Sequence, residues 1–152
     1  MNENNRDIIE ALCRAYYAEI ETVASYIANS VNPDGVRAEQ IKESLAADIT
    51  AELGHAQLLA NRIKVIGGTV PGTKALKMTQ SSLQPPNDST DLVSVIKGVI
   101  DAEREAIETY KHIIKITDGR DYPTQDMAIT ILGDEEEHLR EFQGFLKEYE
   151  AK

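Results

Sequence analysis

The chain has 152 residues, a single cysteine and a formal net charge of −10. That length suits one domain over residues 1–152 with a core of its own; the charge argues against a nucleic-acid partner, which needs clustered Lys and Arg; and Cys13 alone excludes an internal disulfide or a Cys-x-x-Cys module. With no apolar run of about eighteen residues or more and no basic-then-apolar start, a soluble cytoplasmic protein without a membrane partner is expected.

Residues 5 to about 30 read as a first helix, with Asn4 or Asn5 as its cap and Asp7 in the first turn, where negative charge suits the dipole. Ile9, Leu12, Tyr16, Glu19, Val23 and Tyr26 recur in steps of three and four, the seam of a bundle helix. A second helix over about 36–66 should stop at Gly67-Gly68. Its seam is Leu45, Ile49, Glu52, Ala56, Leu59, Ile63 and Ile66, and His55 stands beside it on the side of Asp48 and Arg62. Residues 67–88 are rich in Pro and Gly and form one long connection. At about 1.5 Å per residue a thirty-residue helix is roughly 45 Å long, and twenty-two extended residues reach farther. The second and third helices can therefore lie parallel, while the short connections elsewhere demand antiparallel neighbours.

The third helix is expected to begin at Ser89 or Thr90, with Asp91 in its first turn, and to end before Asp118-Gly119. Leu92, Ile96, Val99, Glu103, Ala106, Tyr110 and Ile113 form its seam. The fourth follows Asp121-Tyr122-Pro123, a cap with a proline in the first turn. Its seam reads Ala128, Ile131, Glu135, His138, Phe142, Phe145 and Tyr149. The fold class is all-α, a four-helix bundle with the long crossover between helices 2 and 3.

Every helix carries a glutamate at mid-height on an otherwise apolar stripe. Glu52-x-x-His55 and Glu135-x-x-His138 put a carboxylate and an imidazole on one face of a helix turn, and Glu19 and Glu103 precede these pairs by 33 and 32 residues. Four buried carboxylates with no cation would destabilise the bundle, and no Lys or Arg shares the seams near them. Four carboxylates and two neutral imidazoles total −4, which two divalent ions neutralise. Glu136 and Glu137, off the seam, read as solvated, and His112 lies on the opposite face from Glu103. Tyr26 and Tyr110 each follow a seam glutamate by seven residues on its face, as core aromatics or as hydrogen-bonding partners. Cys13 reads as a small core residue.

Glu19 with Tyr26, the run Glu52-Leu53-Gly54-His55-Ala56, Glu103, and Asp126 through His138 together resemble the ferritin-like di-iron carboxylate superfamily, and within it bacterioferritin and the Dps-like ferritins. The resemblance implies a ferritin-like bundle holding two iron ions per subunit, with manganese or zinc as possible substitutes. Glu19 and His55 would be terminal ligands of one ion, Glu103 and His138 those of the other, and Glu52 and Glu135 the bridges. Tyr26, Tyr110 and Asp134 would stand behind these ligands. The implied function is a ferroxidase that oxidises Fe(II) with O2 or H2O2 and stores iron, assembled as a homo-oligomer of dimers closing into a shell of 12 or 24 subunits.

Three positions depart from the pattern. Leu53 stands where bacterioferritin has its haem methionine, so no haem is expected. Only fourteen residues follow His138, which leaves no fifth helix. Asp134 precedes one Glu-x-x-His, but Ala51 precedes the other, so the bond behind one histidine is missing or differently supplied. A rubrerythrin-like peroxidase would carry a further glutamate where Ala106 stands; a manganese catalase-type centre fits the same ligands. A metal-free helical interaction module is the reading from another class.

Overall fold

The computed structural model describes residues 3–151. Among them are four long helices: α1 Arg6–Val31, α2 Ala38–Val65, α3 Leu92–Thr117 and α4 Tyr122–Glu150. A short 3-10 turn, Glu3–Asn5, leads into α1, and another, Thr73–Ala75, interrupts the crossover. No helix among the described residues is long and apolar enough to cross a membrane.

The ends follow from local chemistry. Gly67 and Gly119 take φ values of 93° and 68° just past α2 and α3, the left-handed stop that a side chain would strain. Asp121 caps α4 by accepting from the backbone N–H of Thr124 at 3.2 Å. Arg62 reaches across from α2 to donate to both Asp121 and Thr124, each at 2.7 Å. The α3 cap is Asp91, not Ser89 or Thr90: its carboxylate accepts from Ser94 N at 3.1 Å and Ser94 Oγ at 2.6 Å. Thr90 is spent instead on a turn with Asp88. Asn5 precedes α1 but offers it no side-chain cap.

Residue pairings fix the directions. On α1 and α3, Glu19 meets Tyr110 and Tyr26 meets Glu103, so rising numbers face falling ones. On α2 and α4, Asp48 meets His138, His55 meets Asp134 and Arg62 meets Asp121, again antiparallel. Since α1 packs closely on α2 and α3 on α4, with only the tight link 32–37 returning α1 into α2, helices α2 and α3 run parallel, as the crossover length anticipates.

The core is split by the polar layer. Below it lie Ile8, Leu12, Leu59, Ile63, Ile113 and Ile131; above it Ile41, Leu45, Val95, Ile96, Val99 and Phe142. Each half is a compact apolar cluster, so the ends of the bundle supply the burial free energy and leave the middle free for charge. The crossover contributes Leu83, 1% exposed, to the upper half. Its backbone lies so close to α3 that a Cβ at Gly98 would strike the Ser82 carbonyl oxygen.

Candidate metal centre

Each helix turns one glutamate inward at the same height, and the apolar residues a turn above and below fix it there. Glu19, Glu52, Glu103 and Glu135 are all at least 96% buried, and His55 is 3% exposed. The side chains form two groups. Glu19, Glu52, His55 and Glu135 offer ligand atoms within 4.8 Å of one another, and so do Glu52, Glu103, Glu135 and His138. Glu52 and Glu135 belong to both. All six residues singled out by the seam pattern converge, from four helices.

Both rings aim Nδ1 inward. His55 Nδ1 lies 3.1 Å from Glu135 Oε1 and 3.5 Å from Glu52 Oε2; His138 Nδ1 lies 3.3 Å from Glu52 Oε1 and 3.7 Å from Glu103 Oε1. Atoms bound to one ion through bonds of about 2.1 Å stand about 3.0–3.4 Å apart at square or tetrahedral angles; the His55–Glu135 and His138–Glu52 separations of 3.1 and 3.3 Å match this, and the other two are wider. Both Nδ1 atoms, both Glu52 oxygens, Glu103 Oε2 and Glu135 Oε1 are buried without a hydrogen-bond partner. Buried polar atoms are rarely left so. A cation within each group would satisfy them, so the donor set suits divalent metal of the imidazole-and-carboxylate class.

The outer nitrogens are held from behind. His55 Nε2 lies 2.9 Å from Asp134 Oδ2, across the α2–α4 interface. His138 Nε2 lies 3.5 Å from Asp48 Oδ1. Asp48 thus stands in for the aspartate that Ala51 cannot be, one turn earlier on α2. With Nε2–H directed at a carboxylate, the Nδ1 lone pair is left for the centre. The tyrosines prove to be hydrogen-bonding partners: Tyr26 donates to Glu103 and Tyr110 to Glu19. The two bonds cross between α1 and α3 and hold the Glu103 and Glu19 carboxylates.

Without an ion the cluster keeps protons. Burial, then the Glu52 charge beside it, drives Glu19 well above the ordinary carboxyl range. Burial and the charges of Glu103 and Glu52 push Glu135 up to about 11. Against its own burial, Glu52 is held below the usual value by Glu19, His138 and His55. Burial favours neutral rings, yet Glu52, Glu19 and Asp134 raise His55 to about 9, and Glu103, Glu52 and Asp48 raise His138 to about 11. Burial lifts Asp48 to about 6, against the pull of His138. Tyr26 and Tyr110 are pushed well above 10 by burial and by their glutamates, which keeps them neutral donors. A cation held by these groups would displace the protons they keep.

The remaining candidates separate cleanly. His112, Glu136 and Glu137 are exposed, and Cys13 packs, partly buried, against the lower core. Glu21 escapes the seam reading: it is 7% exposed, because the crossover lies on it and donates the backbone N–H groups of Thr79 and Gln80 to its two oxygens at 2.8 and 2.6 Å. Two steps from Glu19, it carries the sequence signature of a surface residue.

The chain is similar to known proteins over most of its length. The ferritin-like domain matches residues 9–151. The DNA protection during starvation protein of Pyrococcus furiosus is 30% identical over 142 residues, 91% of this chain and 76% of that protein. The bacterioferritin-related protein from Bacteroides fragilis, described as a dodecameric thioferritin, superposes with a TM-score of 0.85 at 27% identity, covering 95% of this chain and 86% of its own. A Dps mutant of Listeria innocua shares the fold at a TM-score of 0.84 and 19% identity, over 91% of this chain and 92% of its own. A match over nearly the whole length, on a bundle whose middle is built of inward glutamates and histidines, places the chain in the ferritin-like domain family.

Proposed function

We propose that this protein binds two iron ions per chain and oxidises Fe(II) with O2 or H2O2. The observation that carries the reading is the pair of ligand groups sharing Glu52 and Glu135, with their inward atoms otherwise unpartnered. Glu19 and His55 would complete one site and Glu103 and His138 the other. Two Fe(II) side by side give up two electrons together: with two protons they reduce O2 to H2O2, or H2O2 to two waters, leaving two Fe(III).

The chain's own groups do the positioning. The Asp134 and Asp48 carboxylates orient the rings so that Nδ1 faces inward. Tyr26 steadies Oε1 of Glu103 and Tyr110 steadies Oε1 of Glu19, and Glu103 Oε2, buried without a partner, is left for the ion. The apolar layers above and below exclude bulk water and strengthen every charge interaction within. Protons held by Glu19, Glu135 and the histidines leave as Fe(II) arrives.

Assembly into a homo-oligomeric shell that stores the oxidised iron is part of the proposal, supported by the dodecameric description of the Bacteroides fragilis relative. The Pyrococcus furiosus relative is named for DNA protection. With a net charge of −10, this chain would exert such protection by removing Fe(II) and peroxide, not by coating the polymer. Titrating the metal-free protein with Co(II), whose visible spectrum reports nitrogen and oxygen ligation, tests the site. Two ions per chain are expected, and none in the variant with Glu52→Ala and Glu135→Ala. Two ions still bound by that variant would sink the assignment.

A further inference from the structure

The chain has a formal net charge of −10, yet one open groove between α3 and α4 is lined by four cations. Lys97 and Arg104 stand on its α3 side and Arg140 and Lys147 on its α4 side, with Asp101 and Glu150 as the carboxylates of its lining. Its volume, about 740 Å³, lies in the range of small-molecule sites, about 300–1,000 Å³. It shares no residue with the metal centre.

Helix geometry sets the four charges in two tiers. On each helix the two cations are seven residues apart, so at about 1.5 Å per residue they share a face and stand roughly 10 Å apart. The short link 118–121 makes α3 and α4 antiparallel, and Lys97 meets Glu150 at 3.0 Å. Two turns farther along α3, Arg104 therefore comes level with the stretch of α4 that carries Arg140. Lys97 with Lys147 forms one tier and Arg104 with Arg140 the other. Ile100 and Leu146 supply apolar surface between them, and Gly144 keeps the groove open, since a Cβ there would meet nothing within 4 Å.

These charges are not spent within the chain. Arg104 lies 3.9 Å from Asp101, and both this pair and Lys97–Glu150 are about half exposed or more. Exposed pairs of that kind contribute little and exchange readily for a better acceptor. Arg140 and Lys147 have no carboxylate oxygen within 4.0 Å among the described residues. Guanidinium groups fork onto phosphate oxygens, and ammonium groups meet them as point charges. A long polyanion would run out of the groove onto the acidic surface and be repelled there, within a screening length of about 8 Å at physiological salt. A short one ends inside.

We propose that this groove binds a short oligophosphate chain, with Arg104 and Arg140 holding one end and Lys97 and Lys147 the other. The chain can come from an inorganic oligophosphate or from a nucleoside triphosphate. The inference does not depend on the metal-centre reading.

The test is calorimetric titration of the full chain, without added metal and at low ionic strength, with inorganic triphosphate and separately with ATP. One triphosphate per chain is expected. Arg104→Gln and Arg140→Gln should each weaken binding about tenfold or more, the cost of a lost hydrogen bond to a charged group. Gly144→Glu sets a carboxylate in the groove, where the backbone has room for it, and should abolish binding. Lys64→Gln, which removes an exposed charge from α2, should leave it unchanged. Circular dichroism confirms that each variant is folded. ATP binding as tightly as triphosphate would assign the site to a nucleotide, and triphosphate binding alone would assign it to the inorganic chain. No triphosphate bound, even where duplex DNA is, would overturn the proposal. So would binding that survives Arg140→Gln and Gly144→Glu, or that Lys64→Gln weakens as much as the groove variants do.

Discussion

His55 and Asp134 face each other across α2 and α4, ring Nε2 to carboxylate oxygen at 2.9 Å, although Asp134 is half exposed while His55 is buried. The carboxylate is therefore anchored by solvent on one side and steers a buried ring on the other. Asp134→Asn should lower metal affinity about 10- to 100-fold, the usual cost of losing the group behind a ligating histidine. The melting temperature of the metal-free protein should change little. Calorimetric titration with Co(II) or Zn(II), paired with thermal melts, separates the two effects.

Asp48→Asn should act in the same direction on His138, with a smaller loss, because the separation is 3.5 Å. If both variants bound metal as tightly as the unaltered protein, the histidines would need some other source of orientation.

Glu135→Gln removes a charge that the metal-free protein does not carry at neutral pH, since the carboxyl is pushed up to about 11. Metal-free stability should move by less than about 1 kcal/mol, as expected when one neutral hydrogen-bonding group replaces another. Stabilisation by added metal should disappear, because the shared ligand is gone. Denaturant melts with and without Co(II) measure both.

Much of this was legible in the sequence because a charge on an apolar seam is a strong signal. Glu19, Glu52, Glu103 and Glu135 each break a run of buried residues, and the helix period alone brings His55 and His138 to the same height. Glu21 gave no such signal. Its burial depends on where the crossover lies, and that Pro- and Gly-rich segment has no period from which a path could be read. Asp48 was visible as a neighbour of His55 on the helix face, but its partner is His138, a choice made by the packing of α4 against α2. The α3 cap lies one or two residues beyond the Ser89 or Thr90 that the sequence suggests, because Ser89, Thr90 and Asp91 all have capping side chains and only the backbone direction selects Asp91.

The metal-free protein should lose stability as pH rises. His55 and His138 are held at about 9 and about 11, above the ordinary imidazole value of about 6.5. The folded state therefore holds more protons than the unfolded chain. The stability from these groups is complete below about pH 6.5; the His55 share is lost as pH passes about 9, and the His138 share only near 11. Glu135 adds to the same slope. Glu52, shifted downward, contributes its share above the ordinary carboxyl range and adds no slope here. Melting temperatures of the metal-free protein should fall from about pH 6.5 to about pH 9, and those of the metal-saturated protein should not, since loading becomes easier as protons leave.

Gly98→Ala should destabilise the fold by about 1–3 kcal/mol, the range for forced overpacking, because the added Cβ meets the Ser82 carbonyl. The crossover would have to lift from α3. Faster proteolysis between α2 and α3 than in the unaltered chain is the matching local readout.

The central claim is tested most directly by adding Fe(II) to the metal-free protein in air, following oxidation by absorbance and counting iron per chain. The account predicts a fast phase that consumes two Fe(II) per chain, one for each ligand group, and that vanishes in the Glu52→Ala, Glu135→Ala variant. Iron retained well beyond two per chain would show storage as well. Oxidation no faster than in buffer, or a fast phase that survives the double substitution, would contradict it.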